Sequence, residues 1–397
     1  MLIPNSRYRW VIVVSAAAML AISMGFLVNG LSVFFLALEA EFSASRADVA
    51  AINSAGLVGI ALGGIIVGRF ADRIDIRRIA IFAAVVIGCA TIAAAHATTL
   101  SELYALFFVA GLLGGGALFA PLIALVGSWF PTGAGLAIGI ASAGHGLGQG
   151  IVPFAAAFLI ESLGWRGAMT ALGIGTLATL LPLAFLLRAA PATPAAASAA
   201  ATSSALPVPV VVVAMSIAVL GCCTGMAVPL MHLVPLIQGC GIAAPDAGGV
   251  LLVLMIAAIA GRVAFGQLAD MIGAIPAYMT SVAWQTLLVF FFTRIDTLFP
   301  FYAYAVIYGF GYGGVMTGVL TTTKELTPAN RRAGATGIVL AFAWLGHGLG
   351  GWQGGFFYDI TRSYGWSYAN AAFAGMVNLV IVGSILVALR QRERRLS

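Results

Sequence analysis

Arg262 is the one charged residue inside an apolar stretch of membrane-spanning length, GVLLVLMIAAIAGRVAFGQLAD at 249–270. Asp270 lies eight positions on, so at 1.5 Å per residue about 12 Å of helix separates the guanidinium's anchor from that polar end. An arginine side chain covers only part of that distance, and a guanidinium in hydrocarbon costs at least ~2.5 kcal/mol. Something must neutralise it. All 13 acidic residues fall in loops or at the ends of apolar segments, so no protein carboxylate is expected at that depth. A substrate carboxylate is the natural counter-ion. The planar guanidinium offers two parallel N–H donors to the two carboxylate oxygens, a match that lysine does not reproduce.

Four kinds of polar or aromatic side chain can complete such a site. His145 and His347 sit in the matching segments GHGLGQ (144–149) and GHGLGG (346–351). A histidine donates to an anion or carries a proton near neutral pH. Tyr308 and Tyr312 are one turn apart on one helix face, where hydroxyls orient an anion while the rings fill an apolar cavity. Asn29 is a further polar group at mid-depth, Phe119 is expected to supply an apolar wall, and His232 stands nearer a span end. A lone histidine, or an aromatic at helical spacing, is more often a satisfied core residue. Two histidines in equivalent positions argue instead for a shared central cleft.

The elements that must position these groups follow from composition. Of 397 residues, 61 % are hydrophobic and 8 % charged, with a mean hydropathy of +1.06. A soluble domain has about a quarter of its residues charged, so this chain is expected to lie mostly in a lipid bilayer. Apolar segments of about 20 residues or more give twelve spans, near 10–38, 46–70, 76–97, 101–129, 133–161, 164–189, 207–237, 245–270, 274–294, 298–325, 331–360 and 365–390. Residues 190–206, rich in Ala, Pro and Ser and without charge, read as a linker between the six-span halves 1–189 and 207–397. The fold class is therefore an all-α membrane protein, with twelve transmembrane helices in two pseudo-symmetric six-helix bundles.

Fourteen basic residues flank one side of the predicted spans and four the other, which places both termini in the cytoplasm. The net charge of +6 is thus a topology signal rather than a nucleic-acid footprint. Cys89, Cys222, Cys223 and Cys240 lie in or beside apolar segments without metal-ligand spacing and are expected to be inert thiols. No phosphate-binding GxxxxGK[ST] loop, metal cluster or nucleophile elbow occurs, so neither a catalytic site nor a cofactor or metal is expected.

The halves repeat each other. GRFADRID (68–75) matches GQLADMIG (266–273), GLLGGG (111–116) matches GFGYGG (309–314), the two histidine segments match, and Gly164-Trp165 matches Gly365-Trp366. The order is the same and the offsets run from 198 to 202. Parallel repeats of this kind place a substrate site near the bilayer midplane at the repeat interface.

The motif G-x-x-A-D-R at 68–73, followed by Arg77-Arg78, resembles the cytoplasmic loop signature of the major facilitator superfamily. YRWVIV (8–13), WFPTGAGLAIGIASAGHGLG (129–148) and GR-x-x-x-G (261–266) resemble the bacterial monocarboxylate porters and their oxalate/formate antiporter relatives. The resemblance implies a monomeric secondary transporter of lactate- or pyruvate-like anions, in which the eighth-span arginine, here Arg262, binds the carboxylate. It also implies that Asp72, Arg73, Arg77, Arg78 and Asp270 form a conformational latch. Proton symport and anion exchange both remain open. Ala258 stands where proton-coupled members carry an acid, and His347 is the ionisable group of the eleventh span, where the antiporters carry a lysine.

Overall fold

The computed structural model describes residues 7–70, 74–130, 134–190 and 206–396. Among these residues the chain is almost wholly helical and contains no strand. Hydrocarbon offers no water to an exposed N–H or C=O, and a helix satisfies both within itself. Ten stretches are long and apolar enough to cross a membrane. They include α1 (Tyr8–Val33), α4 (Leu100–Ser128) and α9 (Ala274–Arg294). Others are α2 (Arg46–Phe70), α3 (Ile76–Ala94), α7 (Val208–Gly239), α8 (Ala244–Ile272), α10 (Leu298–Leu326) and α12 (Gly365–Leu396).

The tenth stretch, Ala137–Phe185, is two spans in one. Gly164 interrupts it at φ 69°, ψ 172°, a conformation that only glycine adopts readily, and separates α5 (134–163) from α6 (165–185). A further helix, α11 (Ala329–Thr361), is long enough to span and more polar, with Arg331, Arg332, His347 and Gln353. Counting α5 and α6 separately and adding α11 gives twelve spans in the order the hydropathy pattern predicts.

The chain divides into two compact units, Met1–Pro194 with Ala243–Leu252, and Ala195–Ile242 with Val253–Ser397. The first turns of α8 thus pack with the first unit, where Gly248 abuts Phe154 and Ala157 of α5. Both units use the same device to bring helices together. In the first, Gly144 and Gly148 of α5 lie against the carbonyls of Ala17 and Ala21 on α1. In the second, Gly346 and Gly350 of α11 lie against those of Leu220 and Thr224 on α7. A side chain at any of these glycines would overlap the facing backbone, so small residues set the close approach.

Two irregularities have no signature in the hydropathy pattern. α1 passes through a π-helical turn at Gly25–Asn29 and a 3-10 turn at Gly30–Val33, and α4 has a π-helical turn at Ala110–Gly115. A π turn changes which carbonyls find intrahelical donors. Asn53 of α2 answers this in α1 by donating its Nδ2 to the oxygens of Leu27 at 2.9 Å and Val28 at 3.1 Å.

The end of α6 is tied off by three other helices of its own unit. Tyr8 donates its hydroxyl to the carbonyl of Leu186 (2.7 Å), Arg77 donates Nε and Nη2 to that of Leu187 (3.2 and 3.1 Å), and Trp129 donates its indole N–H to that of Arg188 (2.9 Å). The Arg188 guanidinium in turn lies 4.6 Å from the Tyr8 ring centroid. These donors satisfy carbonyls that a helix C-terminus leaves without intrahelical partners.

Candidate substrate-binding site

In the second unit the site begins with the docking of α8 on α10. Gly309 and Gly313 of α10 lie against the carbonyls of Leu254 and Ala258, and Gly261 of α8 lies against that of Phe310. Phe265 covers Gly314, and its ring meets that of Phe310 at 5.8 Å. The backbones therefore meet one helical turn before Arg262. Arg262 is half-buried and shares its arc of α8 with the buried residues Met255, Ala258 and Phe265. The exposed apolar residues Ile256 and Val263 lie on the other side of the helix. Ten residues of α8 follow Arg262, about 15 Å of helix, so it sits well inside the span.

This docking brings Tyr312 close enough for electrostatic interaction with Arg262. Tyr312 is 4 % exposed, and its ring lies nearly parallel to that of Tyr308, with centroids 6.5 Å apart. Tyr308 is fully buried, its ring set edge-on to Phe292 at 5.1 Å, and its hydroxyl has no hydrogen-bond partner. Of the two tyrosines, Tyr312 is the one in electrostatic range of the guanidinium, and its ring stacks on that of Tyr308.

His347 lies on α11, 7 % exposed, with Nδ1 3.1 Å from the carbonyl oxygen of Ala343 and its ring 5.9 Å from that of Trp344. A carbonyl only accepts, so Nδ1 carries the hydrogen. His232 is satisfied by structure alone. Its Nε2 donates to the carbonyl of Gly351 at 2.7 Å, and Nδ1 accepts from the Tyr364 hydroxyl at 3.3 Å. It ties α7 to α11 and to the start of α12.

In the first unit, Asn29, His145 and Phe119 form one connected group through a residue that the motif reading passed over. Asn29, at the end of the π turn of α1, donates Nδ2 to Gln149 Oε1 at 3.3 Å. Gln149 Nε2 donates to His145 Nε2 at 2.8 Å, and the His145 ring meets Phe119 edge-on at 5.4 Å. Gln149 stands at the end of the GHGLGQ motif, four residues after His145. That i, i+4 spacing was the available signal.

Of the expected latch, Asp72 and Arg73 lie outside the described residues. Asp75 accepts from the backbone N–H of Arg77 at 2.9 Å and caps α3, while the Arg77 guanidinium holds the end of α6. Arg78 and Asp270 are exposed.

A family model described as the Major Facilitator Superfamily matches residues 13–280 and 213–397. The chain belongs to that superfamily. Among curated relatives, it is 28 % identical to human monocarboxylate transporter 11 over 415 residues, covering 96 % of this chain and 83 % of the relative. Rat monocarboxylate transporter 13 is 27 % identical over 383 residues, 93 % of this chain and 86 % of the relative. A gallate transporter of Pseudomonas putida is 31 % identical over 185 residues, 46 % of this chain and 40 % of the relative.

Solved structures share the architecture. The xylose transporter of E. coli, partially occluded and inward-open, aligns with a TM-score of 0.73 at 14 % identity over 94 % of this chain and 98 % of that one. A bacterial homologue of the human lysosomal transporter Spinster, inward-facing and occupied, gives 0.72 at 15 % identity over 98 % of both chains. This major facilitator chain is thus a multi-pass membrane transporter of a small molecule and not an enzyme.

Proposed function

We propose that the chain is a secondary active transporter of small monocarboxylates or related organic anions, lactate- or pyruvate-like. It works in the cytoplasmic (inner) membrane as a monomer with both termini in the cytoplasm, by alternating access and in symport with protons. The observation that carries this reading is Arg262 on the buried arc of α8, well inside the span and in electrostatic range of Tyr312 on the docked α10. The guanidinium clamps the carboxylate and the tyrosine hydroxyl orients it. His347, Tyr308, His145, Asn29 and Phe119 are the other side chains we assign to substrate binding. Relatives named for monocarboxylates and for gallate, itself a carboxylate, support an acidic substrate.

Counterflow in proteoliposomes tests this, with radiolabelled lactate, pyruvate, oxalate, formate and gallate, each with and without a pH gradient. Carboxylate counterflow is expected, and a gradient, acid outside, should drive accumulation of the carried acid. Counterflow indifferent to the gradient would replace symport by oxalate/formate-type exchange. A flat response to every carboxylate would defeat the reading, and expulsion of amphipathic cations would put an efflux pump in its place.

A further inference from the structure

The two histidines stand in equivalent repeat positions, yet their free chemistry differs. In the first half, the Nε2 lone pair of His145 is occupied by the Gln149 amide N–H, and that amide is oriented by Asn29 on its oxygen side. A proton arriving at His145 Nε2 would meet an N–H donor and would have to turn the amide against Asn29. In the second half the residue equivalent to Gln149 is Gly351, which has no side chain to reach back. His347 commits Nδ1–H to Ala343, and among the described residues its Nε2 makes no hydrogen bond. A neutral His347 therefore presents a lone pair there, which repels a carboxylate. Once protonated, it presents an N–H that binds one.

The helices packed against α11 supply no rival for that proton near neutral pH. Away from the charged last turns of α10 and α12, their titratable groups are Cys222, Cys223 and His232 on α7, Tyr302, Tyr304, Tyr308 and Tyr312 on α10, and Tyr368 on α12. Thiols and phenols titrate above pH 8, and both nitrogens of His232 are engaged. Lys324 and Glu325 sit at the last turn of α10. Among the described residues no ion pair involves His347.

We infer that His347 takes up the coupling proton at Nε2 and donates that N–H to the carboxylate held at Arg262. The inference rests on the reading of Arg262 as the carboxylate site. The charges balance. The empty carrier has Arg262 positive and His347 neutral, and the loaded one has both positive with one anion, so one proton and one negative charge move together. By linkage, the anion raises the proton affinity of His347 as much as the proton raises the affinity for the anion.

Calorimetry on the purified full chain in detergent tests this, with lactate, pyruvate and gallate titrated separately in two buffers of different ionisation enthalpy. At pH 8, above the ordinary histidine range of about 6.5, wild type should take up about one proton per anion bound. At pH 7 the greater part of that uptake should remain. His347→Asn keeps an N–H for Ala343 and lacks Nε2, so proton uptake should vanish and affinity should fall about tenfold. His347→Gln places a permanent neutral donor near Nε2 and should bind the anion without proton uptake at either pH. In proteoliposomes it should lose the accumulation that a pH gradient drives in wild type. Melting curves verify that both variants are folded.

If none of the three acids binds wild type, the carboxylate reading falls and this inference with it. Binding by wild type without proton uptake leaves the carboxylate reading standing and overturns coupling at His347. Proton uptake that persists in both variants moves the coupling group elsewhere.

Discussion

The pair α2–α4 in the first unit and the pair α8–α10 in the second are built on one plan and used differently. Gly63 of α2 lies against the carbonyl of Leu112, and Gly261 of α8 lies against that of Phe310. Gly111 approaches the carbonyl of Gly56, and Gly309 that of Leu254. Each contact recurs at an offset of 198 residues, so the helices dock in the same register. What stands on that scaffold diverges. Gly64 occupies the place of Arg262, while Ala110 and Gly114 occupy those of Tyr308 and Tyr312. The first copy also bends through a π-helical turn where α10 is regular. The backbone docking is common to both halves, and the guanidinium and phenol side chains stand in one. Packing and side-chain chemistry are separable here because the glycines fix the helices through backbone contacts.

The largest test of this contrast is Arg262→Lys. It keeps a positive charge and removes the fork, and carboxylate uptake should fall ~10- to 100-fold, because losing one hydrogen bond to a charged group costs about 1.5–3 kcal/mol. Uptake assays alongside a folded-protein assay decide it. Wild-type uptake would mean that recognition does not rest on the α8 copy.

Next come the paired glycines. Gly63→Ala and Gly261→Ala each drive a methyl group towards a carbonyl, and overpacking costs about 1–3 kcal/mol. Both should lower the thermal midpoint to a similar degree. Gly64→Ala is the control. Nothing lies within 4 Å of its added carbon, so the midpoint should hold or rise, alanine being better than glycine in a helix by about 1 kcal/mol. Unequal losses at 63 and 261, or a loss at 64, would break the equivalence of the two dockings. The smallest expected effect is that of Tyr312→Phe. Removing one hydrogen bond worth about 1 kcal/mol should raise KM for the carboxylate several-fold with kcat little changed. No change would reduce the tyrosine to its ring.

The sequence made the spans, the internal repeat and Arg262 legible because each depends on a contrast with hydrocarbon: twenty apolar residues in a row, a matching glycine, a charge where none belongs. The motif offsets even paired Gly261 with Gly63, although only the structure shows that both glycines touch a carbonyl. What stayed hidden is bonding to the backbone. Asn53 answers two carbonyls of a π turn, and a π turn adds a residue without altering composition. Tyr8, Arg77 and Trp129 all point at carbonyls, which every residue has, so nothing in the acceptor's sequence announces them. Arg77 read as part of a charged loop, and its guanidinium lies on Leu187 of its own half. His145 and His347 looked equivalent because their flanking glycines match. Their difference comes from a single position, Gln149 against Gly351, which ranks low in any motif reading.

The knot of donors at Leu186, Leu187 and Arg188 bears on where this polypeptide can be opened. The last helix of the first half is finished by side chains that all precede it in the chain. The carbonyls of Leu186, Leu187 and Arg188 are held by donors that come earlier in the chain. Insertion tolerance depends on the bonding of the affected backbone rather than on position along the chain. Downstream of Arg188 is therefore the rational place to graft a fluorescent reporter or a protease site, whereas deletion through Tyr8 or disruption at Trp129 would remove donors that close the helix.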